Sequence, residues 1–266
     1  MSEIMDMYWA AKPMARTLAT AIVLISLSVY YGSGMFSFLP GYKHVFFTPA
    51  LLFRFPPQIW RLVTSFLVSG PKLGLIMHPV FAYQYLSQLE AGHPKFQRKE
   101  DVLWYLITVG TFIILLNVFY FGSYDFLPGL IIAMCYTVSQ DQRGQKTNFL
   151  FFTVPAQAAP YCMLIWSLLV GGPLLCEISG IIAAHLHDFL FRLWPEFGGG
   201  PNLLATPAWV SYLIQTPRFL QRDYGTAIQP PSRAGAGSTS GRSTGASTGS
   251  VLPDSWKTRG SGHRLG

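Results

Sequence analysis

Ionisable side chains interrupt a long apolar segment in the second half of the sequence. Glu177, His185, His187 and Asp188 all lie between residues 174 and 193, which are otherwise mostly apolar. Ionisable groups are costly inside a membrane, and those found there often mark relays or binding sites. At helical spacing, Glu177 shares one face with His187 and Asp188. Catalysis or ligand binding is therefore sought first in this segment.

Each of these residues also has a structural explanation. Asp188 lies four residues before Arg192 and could form an ordinary helical ion pair at the membrane surface. Glu177 lies near the opposite end of the segment, where a carboxylate can also meet the interface. His185 and His187 are expected as packed or hydrogen-bonded groups between helices. They are two residues apart, on different sides of a helix, and no Cys or His cluster accompanies them, so no metal site is predicted.

Nucleophilic catalysis needs a serine or cysteine with a base within reach. Ala184-His185 is similar to the Ala-His element in the sixth span of rhomboid intramembrane proteases. Those enzymes carry Gly-x-Ser-Gly at the start of the fourth span, where this chain reads Phe-Leu-Pro-Gly129 and has no serine. Ser123 lacks the glycine frame, and Cys135 lies in an apolar run with nothing to activate it. The sequence therefore predicts no catalytic residue and no cofactor.

Composition indicates the architecture that must position these groups. Half of the residues are apolar and only 12% are charged, compared with about 25% charged residues in soluble domains. An acidic N-terminus favours keeping the first apolar run as a span rather than as a cleaved signal. We expect an all-α membrane protein, a helical bundle without strands. The six expected spans are residues 17–36, 73–89, 102–121, 126–138, 149–170 and 174–193.

The rest of the chain is expected outside the membrane. Six spans place both termini on one side, and basic residues concentrate in the 2–3 loop, the 4–5 loop and the tail. The positive-inside rule then makes the termini cytosolic, although Lys43, Arg54 and Arg61 in the first loop dissent. A basic tail without interleaved aromatic residues does not indicate nucleic acid. The expected divisions are a cytosolic N-terminus (1–16), the membrane domain (17–194), a juxtamembrane segment with a short amphipathic helix at 207–215 (195–225) and a disordered tail (226–266).

The stretch 55–70 between the first two spans is unusual. It is too apolar for a solvated loop, and too short and interrupted for a span, which needs about 20 apolar residues. We expect a loop half buried in the lumenal leaflet. Trp60 and Arg61 could be an interfacial aromatic beside a snorkelling arginine. Alternatively, Arg61 hydrogen-bonds backbone carbonyls and fixes the loop.

Two of the expected spans carry further signals. The second span is unusually polar for its position, because it contains His78, Gln84, Ser87 and Gln88. In the sixth span, Gly180 and Ala184 form a small-xxx-small pair, which allows a neighbouring helix to approach closely.

Several patches of the sequence match one family in the same order. They are Trp60-Arg61 with the following Leu-Val-Thr-Ser-Phe-Leu, residues 83–90, residues 148–160, residues 180–185 and the terminal residues 260–266. With these patches the chain resembles the Derlin family, the rhomboid-like pseudoproteases of the endoplasmic reticulum. One departure is Ala184, which stands where the family has the second glycine of Gly-x-x-x-Gly-His. Another is Trp256, which does not directly precede the terminal glycines.

The resemblance implies a six-span rhomboid-like bundle without catalysis that promotes retrotranslocation of misfolded proteins during endoplasmic-reticulum-associated degradation. Implied partners are misfolded substrates, a ubiquitin-ligase membrane complex, further copies or relatives of the chain, the lipid bilayer and the AAA unfoldase valosin-containing protein. An active intramembrane hydrolase and a small-molecule transporter are the alternatives. The residues implied to bind the unfoldase are Gly260, Gly262, Arg264, Leu265 and Gly266.

Overall fold

Helices account for most of the structure. The computed structural model describes residues 2–32, 45–49, 58–91, 96, 98–142, 144–149, 152–199 and 204–210. The helices are α1 (Ser2–Ala10), α2 (Pro13–Leu27), α3 (Arg61–Thr64), α4 (Gly74–Glu90), α5 (Lys99–Leu116), α6 (Leu127–Asp141), α7 (Ala159–Val170), α8 (Leu174–Asp188) and α9 (Trp194–Gly198). Short π-helical turns, Ser28–Gly32, Asn117–Phe121 and Phe189–Leu193, extend α2, α5 and α8.

Among the described residues, three helices are long and apolar enough to cross a membrane, namely Pro13–Tyr31, Lys99–Phe121 and Leu174–Gly198. They coincide with the first, third and sixth expected spans. The second and fourth expected spans are the helices α4 and α6, of 17 and 15 residues. Both are shorter than the ~20 residues that a perpendicular span needs. The chain therefore has the helices of a membrane protein, and the count of six spans stays a prediction.

Helix α6 lies at the centre of the bundle. It packs against α8, α4, α7 and α5, and almost every residue from Leu127 to Ser139 is buried. Ile131 and Met134 are at most 1% exposed and belong to the main core cluster. A helix that is apolar all round is stable only when surrounded. This explains why so short a segment can be a helix without facing lipid.

The prediction of a fifth span over 149–170 without strands is wrong at its beginning. Two strands, β1 (Lys146–Phe149) and β2 (Phe152–Pro155), form an antiparallel pair in which Phe149 is opposite Phe152. A 3-10 turn follows, and α7 begins at Ala159. Pro155 ends the strand and Pro160 lies in the first turn of α7, where its missing N–H costs nothing. The two prolines thus shorten the apolar helix to 12 residues.

The beginning of α2 is closed by a side chain from the end of α4. Glu90 Oε2 accepts hydrogen bonds from the backbone N–H groups of Met14 (3.1 Å) and Ala15 (3.2 Å). These N–H groups have no partner within the helix, and a carboxylate also complements the positive end of the helix dipole. Glu90 therefore fixes the register between α2 and α4, which pack along each other.

We expect Glu90→Gln to lower the free energy of unfolding by about 1 kcal/mol, because a neutral amide oxygen is a weaker acceptor for these donors. Thermal unfolding of the detergent-purified chain measures the change. Glu3→Gln, in the first turn of the exposed helix α1, is the matched control. Equal melting temperatures for the two variants would contradict this assignment of Glu90.

Candidate functional site

Helix α3 presents a buried arginine on one side and apolar side chains on the other. Arg61 is 3% exposed. Its Nε donates to Gln58 Oε1 at 2.5 Å, and its Nη1 donates to the carbonyl O of Phe46 at 2.5 Å. Thr64 Oγ1 adds a hydrogen bond to the carbonyl O of Val45 at 3.1 Å. The two side chains together tie α3 to residues 45–46 of the preceding loop segment.

The outer surface of the same turn is apolar and open. Ile59 is 60% exposed, Trp60 50% and Val63 63%. Apolar groups grouped in this way on one side of a short helix are suited to contact with lipid or an apolar partner. Arg61 thus points inward while Trp60 points outward, so the two adjacent residues have separate tasks.

The chain after α3 is anchored to α2. The backbone N–H of Ser69 donates to Ser26 Oγ at 2.8 Å, and Tyr30 Oη donates to the carbonyl O of Ser69 at 2.8 Å. Ser26 and Ser69 are fully buried. Buried polar groups are costly unless they are paired. This pairing therefore holds the loop at one position along α2.

A cavity with several polar side chains in a largely apolar lining, which we call the polar cavity, opens beside this anchor, and the sequence reasoning did not identify it. Ser69 Oγ lies 3.2 Å from His78 Nδ1 and donates to the carbonyl O of Gly74 at 2.6 Å. The cavity has a volume of about 600 Å³ and lies between the loops at one end of α4, α6, α7 and α8. Its polar lining includes Tyr30, Lys72, His78 and Asp125. His78, one of the polar residues of the second expected span, was a sequence signal for it.

Asp125 joins this cavity to the start of α6. Its Oδ1 accepts a hydrogen bond from the backbone N–H of Leu127 at 3.3 Å. Burial raises the pKa of Asp125 to about 7, and the bond from Leu127 opposes the shift. A carboxyl whose pKa is raised by folding stabilises the folded state at low pH, and that contribution is lost as the pH rises towards 7.

Asp125→Asn is therefore expected to stabilise the protein more at pH 8 than at pH 5. The amide keeps an acceptor for Leu127 but carries no charge that burial would penalise. Melting temperatures of the purified variant and the native chain at both pH values measure this difference. An equal shift at pH 5 and pH 8 would show that the charge of Asp125 does not matter.

The polar residues of α4 contact protein. Gln84 Nε2 donates to the carbonyl O of Asn148 at 3.5 Å, and Gln142 Nε2 donates to Gln88 Oε1 at 3.3 Å. Ser87 Oγ donates to the carbonyl O of Gln84 in its own helix. Gln84 and Gln88 thus connect the end of α4 to β1 and to Gln142, directly after α6, while Ser87 bonds within its own helix.

Gly180 lies where α8 crosses α6. A Cβ at Gly180 would collide with the carbonyl O of Gly129, and a Cβ at Gly129 would lie 2.8 Å from the carbonyl O of Cys176. Ala184, one turn later, is fully buried. Gly129, in the stretch where rhomboid proteases carry their serine, was overlooked as the partner of Gly180. The two backbones approach closely because neither position has a side chain.

The two histidines of α8 have different surroundings. His185 Nδ1 lies 3.1 Å from Tyr136 Oη, and its side chain is exposed. His187 is 4% exposed, stacks on Phe191 and meets the edge of Tyr105. Within the described ranges, no three His, Cys, Asp or Glu side chains are grouped to hold a metal ion. The histidines act here as hydrogen-bonding and packing groups.

Glu177 in α8 and Arg192 in the turn that extends it have different surroundings. Glu177 is 6% exposed and lines a smaller cavity of about 60 Å³ next to the first one, together with His78 and Ser167. It is therefore buried, whereas an interfacial carboxylate was one expectation. Arg192 lies 3.9 Å from Glu196, both well exposed, in a helical pair. The terminal residues Gly260, Gly262, Arg264, Leu265 and Gly266 lie outside the described residues.

The sequence can now be compared with known proteins. The sequence profile of the Der1-like family matches residues 12–208, which include α3, the polar cavity and the crossing of α6 and α8. The chain belongs to the Der1-like family. Derlin-1 of Homo sapiens is 30% identical over 210 residues, 76% of each chain. Derlin-1 of Arabidopsis thaliana is 28% identical over 217 residues, 80% of this chain and 78% of the relative.

These matches confirm the resemblance to Derlins that the sequence motifs indicated. The matched Der1-like region contains Trp60, Arg61, Gly180 and His185. It ends before the terminal glycines, so the proposed unfoldase-binding residues depend on the sequence motif alone.

Proposed function

We propose that this Der1-like chain is a non-catalytic factor of endoplasmic-reticulum-associated degradation that promotes the export of misfolded proteins. It crosses the endoplasmic reticulum membrane six times with both termini in the cytosol. Family membership supports the process. The observation that carries the mechanism is a short helix with an exposed apolar side, whose last residue, Val170, lines the polar cavity.

The short helix is α7. Its 12 residues and the 3-10 turn directly before them (Ala156–Ala158) extend over about 24 Å, at 1.5 Å per α-helical and 2.0 Å per 3-10 residue, compared with about 30 Å of hydrocarbon in a bilayer. Its outer side is strongly apolar, with Ile165, Leu168 and Leu169 exposed by 60%, 62% and 77%. An apolar helix shorter than the bilayer is accommodated by local thinning of the lipid. We infer that the membrane is thinner along α7.

The loop and the cavity act at the lumenal end of this thinned region. Arg61 fixes α3 so that Trp60 and Val63 contact lipid of the lumenal leaflet. The polar cavity next to α7 admits water to the same depth. Each unsatisfied backbone group costs several kcal/mol in hydrocarbon, so a shorter apolar path and a wet entrance lower the barrier for an unfolded segment.

Catalysis is not part of this function. The position that carries the nucleophile in rhomboid proteases is occupied by the stretch ending in Gly129, which contains no serine. Gly129 instead packs against Gly180. His185, the residue similar to the rhomboid base, contacts the hydroxyl of Tyr136 at 3.1 Å.

The tail is proposed to recruit the AAA unfoldase valosin-containing protein through Gly260, Gly262, Arg264, Leu265 and Gly266. Within the membrane, a ubiquitin-ligase complex and other copies or relatives of this chain are the proposed partners. The composition of residues 226–266 predicts a flexible tail that would give the terminal residues reach, because about 40 flexible residues extend over roughly 35 Å.

The proposed function is tested in cells that lack their own Derlins and express a misfolded lumenal reporter. Expression of this chain should shorten the reporter half-life, and the unfoldase should co-purify with it. Removal of residues 260–266 should abolish co-purification while the chain remains in the membrane. A reporter half-life that this chain does not change would reject the proposed function.

A further inference from the structure

The segment that follows α9 folds back onto the beginning of α5. Trp104 Nε1 donates to the carbonyl O of Leu204 at 3.1 Å. The rings of Trp104 and Trp209 meet edge to face with centroids 5.8 Å apart. Val210 is fully buried. Residues 204–210, which we call the return segment, are thus packed on α5 before the remaining 56 residues of the chain begin.

One side-chain hydrogen bond links the return segment to a carboxylate. Thr206 Oγ1 donates to Asp101 Oδ1 at 2.7 Å. Asp101 Oδ2 accepts from the backbone N–H of Arg98 at 3.2 Å, closing the first turn of α5. Both oxygens of Asp101 are therefore engaged, and Thr206 contributes a neutral hydroxyl that acts as a donor. A negatively charged group in place of the Thr206 hydroxyl hydrogen would therefore lie against the carboxylate of Asp101, which its second hydrogen bond holds in position.

Thr206 is followed by Pro207, and Thr-Pro is the dipeptide that proline-directed protein kinases modify. The geometry points to Thr206 as a phosphorylation site whose modification releases the return segment from α5. The kinase transfers the γ-phosphoryl group of ATP to Oγ1, and the hydroxyl proton is lost to solvent. Thr206 then carries between one and two negative charges and has no donor for Asp101.

Electrostatics favours release over tightening. A phosphate placed within hydrogen-bonding distance of Asp101 is repelled by it, and Glu100 adds a second acidic residue in the same turn. Arg98 and Lys99 are also near in sequence, but both side chains are exposed to solvent, where screening weakens their attraction. The carboxylate in direct contact with Thr206 Oγ1 therefore dominates.

This inference deepens the proposed function and rests on it for its biological meaning. The proposed unfoldase-binding residues lie in the part of the chain that follows the return segment. While the return segment is packed, Leu204 and Trp209 are held at α5. Release would lengthen the free part of the chain between α9 and the unfoldase-binding residues, so that phosphorylation would control how the unfoldase engages.

The test uses the full chain purified in detergent, treated with a proline-directed kinase and ATP and checked for phosphate on Thr206 by mass spectrometry. Hydrogen exchange of the backbone amides in 204–210 is then measured. Phosphorylated protein and Thr206→Glu should both exchange about tenfold faster than untreated protein, because a hydrogen bond and its packing are lost. Asp101→Asn should reduce the effect of phosphorylation, because the repelling charge is absent.

Two variants provide controls. Thr206→Ala, treated with the kinase, should exchange no faster than the same variant without treatment. Thr216→Glu places a charge at the second Thr-Pro of the same region, Thr216-Pro217, and should leave the exchange of residues 204–210 unchanged. Failure of the kinase to modify Thr206, or phosphorylated protein that exchanges at the same rate or more slowly, would overturn the proposal.

The measurement in detergent does not depend on membrane orientation or export, so its result is separate from the proposed function. In the reporter cells, Thr206→Glu should change the amount of co-purified unfoldase at least twofold relative to Thr206→Ala. If Thr206→Glu and Thr206→Ala co-purify equal amounts of unfoldase while the native chain promotes export, the regulatory role is overturned. A native chain without export activity would instead reject the proposed function and leave the release of the return segment standing.

Discussion

Replacement of Gly180 with leucine is expected to prevent stable packing of α8 on α6, and Gly180→Ala should already cost about 3 kcal/mol. An added Cβ would collide with the carbonyl O of Gly129 and lie 2.8 Å from Ile132 Cγ2. The carbonyl is backbone and cannot rotate away as a flexible side chain could. Because α6 is the centre of the bundle, separation of α8 disturbs the whole core. Thermal unfolding of the detergent-purified protein measures the loss.

Ile182→Phe is the matched control, because Ile182 lies on the same helix and is 42% exposed. It enlarges a side chain that points outward and should change stability by less than about 0.5 kcal/mol. Gly129→Ala should be destabilising as well, and the double variant should cost less than the sum of both, since the two residues share one contact. Native-like stability of Gly180→Leu would contradict the close crossing.

Arg61→Ala is expected to detach α3 from the preceding loop segment. The variant loses the bonds to Gln58 and to the Phe46 carbonyl, and it leaves a cavity where a buried side chain had packed. The expected cost is about 2–3 kcal/mol. Arg61→Lys should recover little of it, because a single ammonium group cannot reproduce the planar guanidinium with donors in fixed directions. Limited proteolysis of the chain between α2 and α4 measures the detachment of α3, and the melting temperature measures the loss of stability.

Arg192→Ala is the control for removal of positive charge. Arg192 pairs with Glu196 at 3.9 Å, but both side chains are more than half exposed, and exposed pairs contribute little. Trp60→Ala distinguishes the role of Trp60 from that of Arg61. It should leave the free energy of unfolding nearly unchanged and slow export of the reporter. If Arg61→Ala were as stable as Arg192→Ala, Arg61 would be a snorkelling residue rather than the anchor of α3.

Some of this arrangement could be predicted from the sequence. Long, mostly apolar runs predicted α2, α5 and α8, because burial of apolar surface and the need to satisfy backbone groups leave few alternatives. Arg61 was identifiable as an anchor because a charged group in an apolar stretch needs partners. Gly180 was identifiable as a packing position, since small residues allow close approach.

Other features depend on contacts distant in sequence. Pairing of Ser69 with Ser26 and Tyr30 joins residues 39 to 43 positions apart, and no local pattern encodes it. Gly129 is recognisable as a crossing point only when α8 lies against it. The strands before α7 were missed because residues 149–155 are apolar enough for a span, while Pro155 favours an extended backbone at the residue before it.

The role of Glu177 shows the same limit. Its position one turn from the start of α8 suggested an interfacial carboxylate, but α6 and α7 cover it. Exposure of a polar group near a helix end depends on the lengths of the neighbouring helices, and these were misjudged for α7.

The length of α7 tests the central claim most directly. A four-residue insertion of leucine after Leu168 lengthens the helix by about 6 Å and reduces the mismatch with the bilayer. The same insertion after Ser240, in the tail, is the control. Lengthened α7 should slow export of the misfolded reporter severalfold, while the amount of membrane-inserted protein and unfoldase co-purification stay at the native level. Export at the native rate with lengthened α7 would contradict the claim that local thinning promotes it.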